Sequence, residues 1–149
     1  MNRYFDIALN LASERFSGER DKVIADALAL NVSYFNIVCS SLNELDFVKD
    51  LNNRYKQNSC FTLGVHPHNA NELNGNTLES LKDSIKIHQP SAVGETGLDF
   101  FRNLSSYENQ INAFEEQIII SIENNLPLFL HQREAHDDFI KVIDKYISD

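Results

Sequence analysis

The sequence predicts an α/β protein built on a parallel β-sheet. Short runs rich in apolar and β-branched residues alternate five times with longer segments whose apolar residues recur at helical spacing. Strands that alternate with helices are typical of parallel pairing with right-handed crossover connections. No internal repeat, low-complexity segment or linker divides the 149 residues, so we expect one domain.

The first part of the chain predicts two strand–helix units. Residues 4–8 form a short apolar run, and residues 19–30 follow as a helix that ends at Asn31. Residues 34–39 are rich in β-formers and predict the second strand. We then expect a helix over residues 42–57 that begins after a serine cap.

The middle of the chain predicts two more strands and the helix between them. Residues 60–65 predict the third strand, which leaves the sheet at Pro67 because proline cannot donate to a central ladder. After a polar loop, residues 77–87 predict the next helix. Residues 92–94 predict the fourth strand, and residues 95–104 predict a long loop.

The last part of the chain predicts a long helix and one further unit. The long helix begins at Ser105, which makes a capping box with Glu108, or at Ser106, and it runs to about residue 125. The remaining segments are a fifth strand, a loop and a last amphipathic helix, over residues 126–130, 131–133 and 134–147.

The composition limits the classes of function. Hydrophobic residues make up 42% of the chain, the formal net charge is −9 and the pI is about 4.9. This charge disfavours a protein that coats duplex DNA or a membrane, but it is compatible with a metal-lined pocket for one phosphodiester. No signal peptide or apolar span is evident, so we expect a cytoplasmic protein whose two cysteines are buried and reduced.

Polar side chains follow four of the five predicted strands. In parallel α/β folds the carboxyl ends of the strands meet at one rim, where the working residues lie. Only the second strand ends in less reactive residues, Cys39 and Ser40. The residues expected at the rim are Asp6, Asn10, His66, His68, Glu95, Asp99 and His131.

Glu95 directly follows an Ala-Val-Gly run, so its carboxylate should lie at the end of a buried strand. A buried carboxylate without a partner is costly, and a cation usually accompanies it. Arg102 and Arg133 are candidate ion-pair partners. Imidazoles that converge with carboxylates instead describe a site for Zn²⁺, Mn²⁺ or a similar ion, and the shared rim favours this second interpretation.

Four segments, each at the end of a predicted strand, carry a recognisable pattern. They are Phe5-Asp6-Ile7-Ala8-Leu9-Asn10, Gly64-Val65-His66-Pro67-His68, the run from Ala92 to Phe100, and the run from Pro127 to His136. In this order and spacing they resemble the TatD family of metal-dependent hydrolases. The resemblance implies an amidohydrolase-like TIM barrel, one or two divalent ions (Mg²⁺, Mn²⁺ or Zn²⁺) and exonucleolytic hydrolysis of DNA phosphodiester bonds.

The resemblance also implies roles for single residues. Glu95 matches the carboxylate that bridges two metal ions, and His131 matches a ligand of one of them. His66 matches a catalytic residue near the scissile phosphate. The other candidates are expected to contact DNA or to orient the metal ligands: His68, Asn10 and Arg133 in the first group, Asp6 and Asp99 in the second.

The chain departs from the family pattern in its first strand and in its length. Many members have Asp-x-His-x-His where this chain has Ala8 and Asn10, so one metal site is weakly held or absent. A complete barrel has eight strand–helix units in about 250 residues, and five units are predicted here. We therefore expect residues 1–149 to be the N-terminal part of a single barrel, with exposed sheet edges that invite association.

Two rival functions stay open. The first is hydrolysis of an amide or a lactone, because one metal-binding barrel can serve several substrates. The second is a catalytically inactive remnant, because the family's other ligands follow strands that are not predicted here. Turnover of an amide or a lactone instead of DNA would favour the first rival. Absence of a tightly bound divalent ion would favour the second.

Overall fold

A computed structural model describes residues 3–147 and shows strands that alternate with helices. The strands lie side by side in chain order, and each neighbouring pair is parallel. The predicted α/β class is therefore confirmed. The strands are β1 (Tyr4–Leu9), β2 (Val32–Ile37), β3 (Ser59–Leu63), β4 (Ala92–Asp99) and β5 (Leu128–Arg133). The helices are α1 (Arg20–Ala29), α2 (Leu45–Arg54), α3 (Gly75–His88), α4 (Tyr107–Asn124) and α5 (His136–Asp144).

The helices pack their apolar sides against the sheet in two hydrophobic clusters. The larger cluster joins β2 and β3 to the first three helices and includes the buried side chains of Phe35, Leu51 and Leu81. The smaller cluster contains Leu98 and Phe114 and lies where β4 meets α4 and α5. Because the strands are parallel, their carboxyl ends all open toward one rim of the molecule.

Two strands are longer than predicted. The fourth strand was expected to end at Gly94, but β4 continues to Asp99. The fifth was expected to end at Leu130, but β5 continues to Arg133. The loops expected directly after these strands are wrong at those positions, because the two segments pair with each other along the extension. The candidate glutamate and histidine thus lie on strands rather than in loops.

Several helices also begin or end away from the predicted positions. The second predicted helix starts with the 3₁₀ turn Leu42–Glu44, and α2 ends earlier than expected. The predicted polar loop after the third strand contains the 3₁₀ turn Pro67–Glu72. The last helix starts later than predicted, because Glu134 adopts a φ of 52°, which no α-helix accommodates.

Of the two predicted starts of α4, the structure confirms Ser106 and not the Ser105 capping box. Ser106 is the N-cap, and its Oγ accepts the backbone N–H of Asn109 at 3.3 Å. Ser105 is buried instead, and its hydroxyl donates to the carbonyl of His68 at 2.9 Å. The loop before α4 is thereby tied to the segment that follows β3.

Strand β1 lies at one edge of the described sheet and is largely exposed. Tyr4, Phe5 and Ile7 are 59%, 52% and 59% exposed. Strand β5 lies at the other edge, where Leu130 is also exposed. Exposed apolar side chains on an edge strand favour pairing with a strand of another molecule or segment. The association expected from the sequence stays a prediction, and these two edges are where we expect it.

Two other expectations concern the whole chain. Both cysteines are free thiols; Cys39 is buried, and Cys60 is partly buried. Within residues 3–147, none of the helices combines the length and the apolar character that a bilayer crossing requires.

Candidate metal centre

Three strands bring His66, Glu95 and His131 together at the rim. His66 lies just after β3, Glu95 lies on β4, and His131 lies on the neighbouring strand β5. One possible ligand atom from each residue lies within 4.8 Å of those from the other two. These are the three residues to which the sequence assigns metal-binding or catalytic roles.

A bulge in β4 directs the Glu95 side chain. Gly94 pairs with Phe129, and Thr96 pairs with Leu130, so Glu95 is an extra residue between two consecutive pairs. A bulge of this kind bends the strand and re-aims the side chain that it carries. Gly94 has a φ of 139°, and a Cβ there would collide with the carbonyl group of Phe129.

Gly97 allows β4 to lie close to His131. Its φ is 140°, and an added Cβ would collide with the carbonyl oxygen of His131. We predict that Gly97→Ala lowers the free energy of unfolding by about 1–3 kcal/mol or more, since it combines overpacking with backbone strain. Urea unfolding of both proteins measures the difference.

The matched control for this prediction is Gly75→Ala at the start of α3. Gly75 has open space around its Cβ position, and its φ is not in the left-handed region. Alanine there should leave stability unchanged or raise it slightly. Equal unfolding midpoints for the Gly97 and Gly75 variants would contradict the argument.

His131 lies between two carboxylates. Its Nδ1 is 3.1 Å from Oε1 of Glu95, and its Nε2 is 3.2 Å from Oδ2 of Asp99. The hydrogen bond to Glu95 raises the pKa of His131 above its ordinary value, against the opposing effect of burial. Burial raises the pKa of Glu95, but the bond to His131 and the neighbouring imidazoles outweigh it and hold that pKa below its ordinary value.

Asp99 orients two of the histidines. Its side chain is 1% exposed, and Oδ2 lies 2.7 Å from Nε2 of His68 as well as beside His131. Its Oδ1 accepts the backbone N–H of Arg102 at 2.8 Å. Burial raises the pKa of Asp99, but these hydrogen bonds outweigh it and lower the pKa to about 2. Asp99 is therefore an ionised acceptor that holds both rings in place.

His66 has its Nδ1 committed to the backbone. That nitrogen accepts the N–H of His68 at 3.1 Å, so the neutral ring carries its hydrogen on Nε2. Nε2 lies 3.9 Å from Oε1 of Glu95. Burial lowers the pKa of His66 to about 4, although the charge of Glu95 opposes this shift. The ring is thus a neutral N–H donor that faces the cluster.

The residues present fit a divalent cation. An N···O separation of 3.1 Å suits two ligands that each bond one ion at about 2.1 Å. Asp99 can accept the Nε2 hydrogen of His131, and a bound ion would then replace the Nδ1 hydrogen between His131 and Glu95. Within residues 3–147 neither Arg102 nor Arg133 pairs with Glu95, so the ion-pair alternative is not observed there.

A cavity of about 340 Å³ opens beside the cluster. The expected substrate residues Asn10 and His68 both line it. Asp6 is not brought to the cluster: it is exposed, and its Oδ1 accepts the backbone N–H of Ala8 at 3.0 Å. The orienting role expected for Asp6 is thus absent from the described contacts. The lining residues are Asn10, Ser13, Ser40, Glu44, His66, His68, Asn69 and Glu95.

The sequence interpretation missed Glu44 and underestimated Ser40. Both line the cavity, and Glu44 Oε2 accepts the backbone N–H of Ser40 at 2.8 Å. The carbonyl of Ser40 in turn accepts the backbone N–H of His66 at 3.0 Å. The second strand therefore does contribute to the rim, through a backbone contact that no side-chain motif reveals.

Two buried glutamines on α4 were also missed. Gln117 bonds both backbone groups of Val65, through Oε1 to the N–H at 2.7 Å and through Nε2 to the carbonyl at 3.0 Å. Gln110 bonds both backbone groups of Asp99, at 2.9 and 3.3 Å. Two glutamines seven residues apart on the apolar side of a helix were the available signal.

The fold and the cluster together define the class of protein. It is a parallel α/β half-barrel that presents histidines and carboxylates suited to a divalent ion at the carboxyl ends of its strands. The chain belongs to the TatD related DNase family, whose model matches residues 5–149. The predicted family is therefore confirmed.

Curated relatives agree with this assignment. The chain is 40% identical over 143 residues to a protein of Erwinia tasmaniensis named 3'-5' ssDNA/RNA exonuclease TatD, which covers 96% of this chain. It is 36% identical over 145 residues, or 97% of this chain, to a protein of the same name from Escherichia coli K12. The chain spans 55% of the length of each of these relatives.

Solved structures agree on the architecture. A TatD homologue from Escherichia coli K12 superposes with a TM-score of 0.87 at 26% identity, over 96% of this chain and 56% of its own. A hydrolase of the TatD family from Entamoeba histolytica superposes with a TM-score of 0.86 at 26% identity, over 97% and 54% of the two chains. The predicted barrel type, with part of its strands present, is confirmed.

Proposed function

We propose that this chain supplies the metal centre of a 3'-5' exonuclease that hydrolyses phosphodiester bonds in single-stranded DNA or RNA. The observation that carries the proposal is the line of contacts from Asp99 through His131 to Glu95, with the His66 donor beside it. The names of the relatives support the substrate and the direction of digestion. In this proposal residues 1–149 are the N-terminal part of a single barrel.

The donor set favours Zn²⁺ or Mn²⁺ over Mg²⁺. Imidazole nitrogens suit borderline ions, whereas Mg²⁺ prefers oxygen ligands and bound water. Glu95 and His131 would hold the ion, and the second carboxylate oxygen of Glu95 would be available to a second ion. Ala8 and Asn10 offer no imidazole to that second ion, so it would be held more weakly.

The chain's own residues then have separable tasks. A divalent ion held by Glu95 and His131 would activate a water molecule and neutralise charge on the phosphate. Asp99 accepts a hydrogen bond from Nε2 of His131, so Nδ1 is the nitrogen that would bind the ion. His66 donates its Nε2 hydrogen to a phosphate oxygen, because its Nδ1 is already occupied by the backbone N–H of His68.

The cavity wall provides contacts for the nucleotide. Asn10 lines the side of the cavity that β1 forms, where its amide can donate or accept a hydrogen bond. His68 has its Nε2 bonded to Asp99, so its Nδ1 is the nitrogen that can serve the substrate. Arg133, two residues after His131, supplies the positive charge that a phosphate group requires.

The test is metal-dependent shortening of a 5'-labelled single-stranded oligonucleotide by the native polypeptide that carries this chain. We expect release of mononucleotides from the 3' end with Mn²⁺ or Zn²⁺, and loss of release when EDTA removes the ion, because the phosphate then lacks its counter-charge. A blunt duplex of the same sequence is the control, and it should be degraded more slowly.

Two outcomes would contradict the proposal. Turnover of a chromogenic amide or lactone, without nucleotide release, would support the rival hydrolase on the same barrel. Absence of a bound ion, together with no turnover of either substrate, would support an inactive remnant. The relatives' names do not favour either rival.

A further inference from the structure

An aromatic ring and a guanidinium group stack at the rim beside the metal centre. The guanidinium carbon of Arg133 lies 3.8 Å from the centroid of the Phe101 ring. Phe101 is 53% exposed although it follows a buried strand end. Among residues 3–147, Arg133 forms no ion pair, even though the chain carries a net charge of −9.

Backbone contacts anchor this pair to the metal centre. The N–H of Phe100 donates to the carbonyl of Arg133 at 3.0 Å, and the N–H of Arg102 donates to Asp99. Both neighbours of Phe101 are therefore held in place. Arg133 is two residues from His131 on β5, so the two side chains lie on the same face of the sheet, about 7 Å apart along the strand.

The neighbouring aromatic residues are already engaged. Phe100 packs against Tyr107 with their ring centroids 5.2 Å apart. Phe101 is the aromatic side chain of this loop that stays turned toward solvent, with a cation against it. An exposed ring beside an unpaired guanidinium attracts a ligand that is both flat and anionic.

We propose that Phe101 and Arg133 form a stacking platform for a base of single-stranded nucleic acid, next to the nucleotide whose phosphate reaches the metal centre. The ring supplies the stacking face, and the N–H edge of the guanidinium bonds a backbone phosphate. Every base has a π-face, so this contact selects unpaired bases without selecting a sequence. The proposal rests on the proposed function, since it assumes a nucleic-acid substrate at this rim.

Residues 1–149 contain no tryptophan, so Phe101→Trp places one fluorescent reporter within them, at the platform. With Zn²⁺ present, we expect a hydrolysis-resistant phosphorothioate oligo-dT to quench this tryptophan, and an abasic phosphorothioate oligonucleotide of equal length to quench it far less. Phe5→Trp is the matched control, because Phe5 is 52% exposed at the other edge of the sheet. Its fluorescence should not respond to either oligonucleotide.

Affinity gives an independent measurement. Phe101→Leu should weaken binding of oligo-dT by about fivefold to a hundredfold, the effect of losing one stacked base, and should leave binding of the abasic oligonucleotide unchanged. Equal weakening for both oligonucleotides, absence of quenching in the Phe101→Trp variant, or no binding by the unaltered protein would each overturn the platform. Quenching without nucleotide release would overturn the proposed hydrolysis and leave the platform standing.

Discussion

Replacing Glu95 with glutamine should abolish both ion binding and nucleotide release. Glutamine keeps the shape of the side chain but removes the charge that the cluster offers to a cation. Glu95 lies 3.1 Å from His131 and 3.9 Å from His66, and it is the carboxylate that touches both. We expect the affinity for Zn²⁺ or Mn²⁺ to fall by more than about a hundredfold, because changes one layer farther out already cost about 10–100-fold.

Isothermal titration of the ion, followed by the nucleotide-release assay, measures this loss. Glu108→Gln is the matched control, since Glu108 is an exposed residue in the first turn of α4 and undergoes the same change of charge. Circular dichroism should show that both variants are folded. Retained ion binding in the Glu95 variant, with the control unchanged, would place the ion elsewhere and refute the assignment.

The architecture could be predicted because it depends on patterns that extend over many residues. Five apolar runs bounded by turn residues alternate with helical periodicity, and this alone implies parallel strands whose carboxyl ends share a rim. The predicted end of β4 was wrong because Gly94 reads as a strand terminator, and that of β5 was wrong because the polar residues 131–133 read as a loop. In the structure that glycine is part of a bulge, and pairing resumes beyond it.

The candidate site was predictable to the extent that strand ends identify it. His66, Glu95 and His131 lie together as expected, and Oδ2 of Asp99 lies within hydrogen-bond distance of His131. Asp6 lies in the middle of β1, where it is exposed, whereas Asn10 just after that strand lines the cavity. Position on a strand predicts the rim, whereas distance within the rim depends on sheet curvature, which the residues of one strand do not specify.

The residues that were missed all act through the backbone. Glu44 accepts a backbone N–H of Ser40, and Gln110 and Gln117 each bond both backbone groups of a strand residue beside the site. Such contacts leave no motif, because any strand residue offers the same N–H and carbonyl. Only the glutamines give a sequence signal, since an amide on a buried helix face needs partners.

Replacing Gln117 with leucine should cause the largest loss of stability among single substitutions around the site. The side chain is 0% exposed, and its amide satisfies the N–H and the carbonyl of Val65, next to His66. Leucine fills the volume but leaves two buried backbone groups without partners. Each costs about 1–3 kcal/mol, so we expect the free energy of unfolding to fall by about 2–6 kcal/mol.

Urea unfolding measures the loss, and Gln57→Leu at an exposed position is the control, which should change stability by less than about 0.5 kcal/mol.

Amide hydrogen exchange separates the loss of the Val65 contacts from general destabilisation. Under native conditions the Val65 N–H should lose its protection in the Gln117 variant, while the N–H groups of β2 keep theirs. Because Val65 precedes His66, the same variant should weaken oligonucleotide binding more than ion binding by Glu95 and His131. Uniform loss of protection across the sheet would show that Gln117 is only a core residue and does not position the His66 donor.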